Sequence, residues 1–94
     1  MLPDFEWDAE KAKANLRKHR VSFDEAITVF NDPFVVTITD PDHSLDEDRY
    51  LSIGLSYRGS YLVVSYTDRG NNTRIISCRK ATLLERRYYE GISN

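Results

Sequence analysis

Between residues 23 and 30 the apolar positions Phe23, Ala26, Ile27 and Phe30 recur at i, i+3, i+4 and i+7, the spacing of one face of an α-helix. Ser22-Phe23-Asp24-Glu25 in front of them is a capping box, in which the hydroxyl and the carboxylate each satisfy an orphan backbone donor. Asn31-Asp32-Pro33 ends the run, because the residue before a proline is driven out of the helical region, so a helix is predicted over 23–31. An earlier helix is predicted over 9–19, where Asp8 can cap a stretch of strong helix formers.

From Phe34 the period changes. Val35-Val36-Thr37-Ile38-Thr39 is β-branched strand chemistry, broken by Asp40-Pro41-Asp42. Three further apolar runs follow at 49–56, 60–67 and 73–80. Tyr57-Arg58-Gly59 and Asp68-Arg69-Gly70-Asn71-Asn72 separate them, short glycine-containing connections that favour antiparallel hairpins. Thr82-Leu83-Leu84-Glu85 is a second capping box, Leu84 and Tyr88 then share a helical face, and Gly91 stands where a C-terminal cap belongs. Phe5-Glu6-Trp7 alternates over too short a span to assign, and reads equally as an edge strand or a lead-in. The expected fold is α+β: a four-stranded antiparallel sheet with two N-terminal helices and one C-terminal helix, in a single domain over 1–94.

Composition narrows the class. No apolar run approaches the roughly 20 residues that span a bilayer, and Met1-Leu2-Pro3-Asp4 leads into charge rather than an apolar leader, so a cytoplasmic protein is expected. Cys78 is the only cysteine, which excludes an internal disulfide and a cysteine-based metal site; in a strand-like run it reads as an inert core filler. The net charge of −2 conceals a division. Residues 1–48 hold five Lys or Arg against twelve Asp or Glu, and residues 49–94 hold eight against three, balances of −7 and +5. A basic half on an acidic protein can present an electropositive face to phosphate, provided the fold does not intermix the charges.

The chemistry-bearing residues are few. The acidic stretch 40–48 opens like a calcium loop but fails the pattern, with Leu45 where the sharp turn needs glycine and Leu51 where the bidentate glutamate belongs. His19 and His43 are the side chains that titrate near neutrality. His19 follows Lys18 at a helix end, where a cation suits the helix dipole, and His43 sits in a polar loop. Arg74-Ile75-Ile76-Ser77-Cys78-Arg79-Lys80 carries basic residues along a strand into a capped helix, where backbone N–H groups and an arginine fork suit an anion. Strand parity puts Arg74 and Arg79 on opposite faces unless a bulge intervenes. Arg79 is the stronger phosphate candidate, and a surface ion pair with Glu85 is its structural alternative. Arg49 is in phase with Leu51, Ile53 and Leu55, with Glu47 a possible partner. Six tyrosines offer stacking surfaces for bases or, as readily, core rings.

Phe5-Glu6-Trp7-Asp8, Lys18-His19 with Val21-Ser22-Phe23 and Glu25-Ala26, His43-Ser44, Glu47 with Arg49, Ile53-Gly54, and Arg74-Ile75-Ile76-Ser77 with Arg79-Lys80-Ala81 and Glu85-Arg86 together resemble the BrnT family over almost the whole chain. The resemblance implies a RelE-like fold, ribonuclease activity as the toxin of a bacterial type II toxin–antitoxin pair, and neutralisation by a BrnA antitoxin that also binds DNA. It carries functional roles onto Lys18, His19, His43, Arg49, Arg74, Arg79 and Lys80, with Glu47 and Glu85 as orienters. Two departures are Arg20, where the family commonly has glycine, and Cys78, commonly alanine.

The expected activity is metal-independent, cofactor-free endonucleolytic cleavage of RNA. Arg79 and Arg49 would hold the phosphate, His43 or His19 would move protons with help from Lys80 and Lys18, and Arg74 would bind RNA. The expected partners are the RNA and a BrnA-like antitoxin in a heterotetramer with two copies of each, with DNA reached only through the antitoxin and no membrane. The alternative is a non-catalytic module that binds nucleic acid or protein through the same basic face.

Overall fold

The computed structural model describes residues 4–42 and 48–93, and His43 and Glu47 lie outside them. The elements run β1 Asp4–Glu6, α1 Ala9–His19, α2 Phe23–Ala26 with a 3₁₀ continuation Ile27–Asn31, β2 Val36–Thr39, β3 Arg49–Leu55, β4 Tyr61–Arg69, β5 Asn72–Lys80 and α3 Leu83–Ser93. The sheet order is β1-β5-β4-β3-β2.

The four-stranded antiparallel sheet expected from periodicity is corrected to a five-stranded mixed one, because β1 adds a strand parallel to β5 at its edge. Three residues are too few for alternation to register, and their pairing is held from two sides. Phe5 packs into the main core against Phe30, with ring centroids 5.3 Å apart, while Glu6 bonds Arg74 and Asn72. The helix expected over 23–31 is likewise α-helical only to Ala26. Its last turn tightens to 3₁₀ where Thr28 donates its hydroxyl to the Glu25 carbonyl, a side-chain bond that competes with the helical ladder.

The sheet has two unequal faces. On the first, α1, α2 and the 3₁₀ turn cover Leu62, Val64, Tyr66, Ile75 and Cys78, joined by Val21, Phe23, Ala26 and Val29 in the main core. On the second, α3 covers a smaller cluster of Val36, Ile53, Val63 and Tyr89. Gly54 gives the close approach where the 3₁₀ turn crosses β3, since a Cβ there would meet the Asp32 carboxylate and Val29 Cγ1 at 3.0 Å and push both side chains back. Asp32 ties the layers together. It accepts from the Leu55 N–H at 2.8 Å, the Phe34 N–H at 2.9 Å and the Tyr89 hydroxyl at 2.7 Å. Burial works to raise its pKa, but these three donors outweigh burial and leave it lowered, while burial and the Asp32 bond push Tyr89 up to about 12.

Two local features carry the register. Between Ser65 and Tyr66 the β4–β5 ladder shifts: Ser65 pairs with Ser77 but Tyr66 pairs with Ile75, leaving Ile76 as an extra residue in β5. Beyond Arg74, where β1 has ended, the buried Asn15 of α1 stands in for the missing strand. Its amide donates to the Cys78 carbonyl at 2.8 Å and to the Val21 carbonyl at 3.0 Å, and accepts the Cys78 N–H at 3.0 Å. The α1 helix then stops at Arg20, whose φ of 62° is the left-handed cap conformation that favours glycine. The arginine there carries a local strain that glycine would not.

Asn15→Ala is expected to lower the unfolding free energy by about 3 kcal/mol, since it leaves three buried backbone groups without partners. Leu16→Ala next to it, half exposed, is expected to cost under about 1 kcal/mol. Urea denaturation checks both; an unchanged midpoint for Asn15→Ala would show that this bridge does not hold α1 to the sheet.

Candidate active site

The extra residue in β5 decides which side chains share the second face. With it, Ile75 and Cys78 both enter the main core, and Arg74, Ser77 and Arg79 all fall on the opposite side. The bulge proviso attached to the parity argument is therefore met. Register arranges the face in rows across the strands. Arg49 of β3 and Arg74 of β5 both pair with Thr67 of β4, and Glu6 of β1 stands beyond Arg74. The next row is Leu51, Ser65 and Ser77, and the third is Ile53, Val63 and Arg79. Two strand spacings separate Arg49 from Arg74 by about 10 Å, and four residues along β4 separate that row from the Arg79 row by about 13 Å. Three arginines, each with a reach of several ångströms, thus surround a floor of small hydroxyl residues.

Carboxylates orient two of these arginines. Arg79 makes a bidentate pair with Glu85 at 2.7 and 2.8 Å, the ion pair that was its structural alternative, so this pair and the anion-facing position coexist. Glu85 also accepts the Thr82 N–H at 2.9 Å, and Thr82 Oγ1 accepts the Glu85 N–H at 3.2 Å, so the capping box of α3 and the Arg79 clamp are one unit. Hydrogen bonding to Arg79, opposed by burial and reinforced by Thr82, lowers the Glu85 pKa to about 2, and Glu85 in turn raises that of Arg79. Arg74 meets Glu6 at 2.8 Å, and Glu6, bonded first by Asn72 and then by Arg74, has a lowered pKa. An arginine carries five N–H donors, so each clamp fixes the guanidinium while leaving donors for an anion. Arg49 is half-buried, and its carbonyl accepts the Asp40 N–H at 2.9 Å, fixing the strand where the acidic 40–48 stretch rejoins the sheet.

The remaining sequence candidates lie elsewhere. Lys18 is exposed and His19 half-buried at the end of α1, in the layer over the first face. Lys80 pairs with Leu62, a residue of the main core, so it belongs to that same side although it adjoins Arg79. The face therefore brings together Arg49, Arg74, Arg79 and Glu85, and not Lys18, His19 or Lys80. Sequence reasoning overlooked Ser65, Thr67 and Glu6. The first two were signalled by the polar interruption of Val63-Val64-Ser65-Tyr66-Thr67 at period 2. The partnership of Glu6 with a residue 68 positions away left no local signal. Cys78 is fully buried, and burial pushes its thiol up to about 12, the inert filler expected. Among the described residues no three His, Cys, Asp or Glu side chains gather as a metal site, and no helix is long and apolar enough to cross a membrane.

The clamp predicts a pH dependence. Glu85 lies below its ordinary value of 4.5 in the folded chain, so its contribution is complete above about pH 4.5 and is lost as pH falls towards about 2. Glu85→Gln is expected to shrink the stability lost between pH 6 and pH 2.5 by about 1 kcal/mol, solvent screening having reduced the full effect of the shift. Urea titrations at the two pH values check it, and identical losses in both proteins would contradict the clamp.

Comparison with known proteins agrees with this architecture. A family model described as the ribonuclease toxin BrnT of type II toxin–antitoxin systems matches residues 7–85. The crystal structure of the Brucella abortus ribonuclease toxin BrnT superposes with a TM-score of 0.66 at 21% identity, over 85% of this chain and 97% of that one. No curated protein matches the chain. With the family model spanning all but the two ends, the chain belongs to the BrnT family, the ribonuclease toxins of type II toxin–antitoxin systems.

Proposed function

We propose that this toxin is a metal-independent endoribonuclease whose catalytic centre is the arginine face of the sheet. In that chemistry the 2′-hydroxyl of RNA attacks the adjacent phosphorus, the bond to the 5′-oxygen breaks, and the products are a 2′,3′-cyclic phosphate and a 5′-hydroxyl. The protein must take one proton, return one proton and stabilise the charge that builds on the phosphoryl oxygens. The grouping of Arg49, Arg74 and Arg79 around Ser65 and Ser77 carries this reading. Arg79 is the principal donor to the transition state, held by Glu85 so that little reorganisation is needed as charge develops. Arg49 and Arg74 bind the flanking phosphates.

His43 is the proton-transfer group in this proposal. His19 lies in the layer over the opposite face, which favours His43 for this role. Lys18, His19 and Lys80 then serve the approach of the RNA backbone rather than the chemical step. The kinship with RelE-like toxins, the inhibition of translation and growth, the cytoplasmic setting, and neutralisation by a BrnA-like antitoxin in a heterotetramer that reaches DNA through the antitoxin belong to the same proposal. The two copies of each follow from the usual dimerisation of operator-binding proteins.

Arg79→Ala is expected to reduce cleavage of total RNA by about 10² to 10³, the usual effect of losing one preorganised donor. The fold should survive, since Arg79 is part-exposed near the end of β5. EDTA is expected to leave wild-type cleavage unchanged. Full activity in folded Arg79→Ala would move the chemistry off this face, and EDTA-sensitive cleavage restored by Mg²⁺ would overturn metal independence. A purified wild-type chain that binds RNA without cutting it would select the binding-module alternative.

A further inference from the structure

Beside the arginine face the sheet carries an apolar groove of about 370 Å³. Leu51, Ile53 and Val63 form its floor, Ile38 of the edge strand β2 one wall, and Leu84 and Tyr88 of α3 the other. Its rim is unusually apolar for an exposed surface: Leu84 is 77% exposed, and Leu83, Tyr88 and Ile38 are also open to solvent. The remaining lining group, Glu85, has both carboxylate oxygens engaged by Arg79 and the Thr82 N–H. Groove and arginine face are continuous, because Leu51 is two residues from Arg49 along β3 and pairs with Ser65 of the hydroxyl floor.

We infer that this groove is the docking site of the antitoxin, that it takes aliphatic side chains from one antitoxin segment, and that carboxylates further along the same segment reach Arg49 and Arg79 and so block the active face. The inference rests on the reading of that face as the ribonuclease centre. Three observations select this occupant. The groove offers a nucleobase edge little hydrogen bonding, since the Tyr88 hydroxyl at its rim is the one polar side-chain group in the lining besides the engaged Glu85, so the floor suits aliphatic groups better than a base. A second copy of this chain paired face to face about a two-fold axis would bring its own arginine face and the exposed Arg87 of α3 against the first, a repulsion that an acidic partner converts into attraction. The apolar anchor site and the cationic site are about 7 Å apart along one strand, a span that a single short segment covers. An antitoxin segment of this kind would neutralise by competition with the RNA and needs no change of shape in the toxin.

The test uses Leu84→Asp and Tyr88→Ala, with Leu84→Ala as the milder partner, all at exposed positions outside the proposed catalytic machinery. Each purified variant is titrated with the purified product of the adjoining reading frame by calorimetry, and assayed for RNA cleavage with and without that product. Leu84→Asp and Tyr88→Ala are expected to melt and cleave like wild type, to bind the antitoxin at least about 30-fold more weakly, as loss of an interface anchor does, and to need correspondingly more of it for half inhibition. Affinity within threefold of wild type for all three variants would overturn the inference. So would loss of cleavage with unchanged antitoxin affinity, which would assign the groove to RNA, or conversion of a wild-type dimer to monomer with unchanged affinity, which would assign it to a second copy. Weakened antitoxin binding in a protein that never cleaves RNA would uphold the docking site and overturn only the catalytic reading of the arginine face.

Discussion

One extra residue in β5 organises this molecule. A strand that kept strict alternation from Arg74 to Arg79 could not send Ile75 and Cys78 into the same core, nor Arg74 and Arg79 to the same surface. By placing Ile76 out of register opposite the Ser65/Tyr66 step, the chain completes the main core on one side and sends both Arg74 and Arg79 to the other. Asn15 makes this arrangement tolerable, since it satisfies the Cys78 backbone where the outer strand is missing. Arg49, Arg74 and Arg79 thereby stand together on the side that α1 and α2 leave uncovered.

The arginine face illustrates how carboxylates can serve a cationic site without neutralising its purpose. Glu85 and Glu6 reduce the local positive charge, and an unclamped arginine would attract phosphate more strongly from a distance. The bidentate bond to Glu85 instead holds the Arg79 fork at one orientation, so less side-chain entropy is lost when an anion arrives. Because Glu85 is also the capping residue of α3, the orientation of Arg79 is coupled to the helix that walls the neighbouring groove. Under the proposed function, chemistry and partner recognition share one structural unit.

Much of this was legible in the chain. The full capping box of α3, the Ser22 cap of α2, the two glycine turns and the three long strands have local causes, and local causes leave local signatures; the Glu25 carboxylate, expected to complete the first box, instead accepts from the distant Ser56 hydroxyl at 2.7 Å. Arg49 was assigned to the face of Leu51 and Ile53 by parity alone, and the pairing confirms that assignment. What escaped depends on contacts between distant segments. A three-residue strand is stabilised by a partner some 68 positions away, and nothing near Phe5 announces it. The bulge is invisible for the same reason: only the partner strand defines which residue is extra. Lys18, His19 and Lys80 entered the expected site through the resemblance, and for Lys80 adjacency to Arg79 in a strand means the opposite face.

The central claim is that RNA meets the side of the sheet bearing Arg49, Arg74 and Arg79. It is tested most directly by NMR on the isotopically labelled chain during titration with a short 2′-O-methyl RNA, which lacks the attacking hydroxyl. The account predicts that the guanidinium Nε–H signals of these three arginines and the amides of Ser65, Thr67 and Ser77 shift together, with smaller changes at Lys18 and His19. Shifts confined to the α1 surface, with the arginine face unmoved, would contradict it.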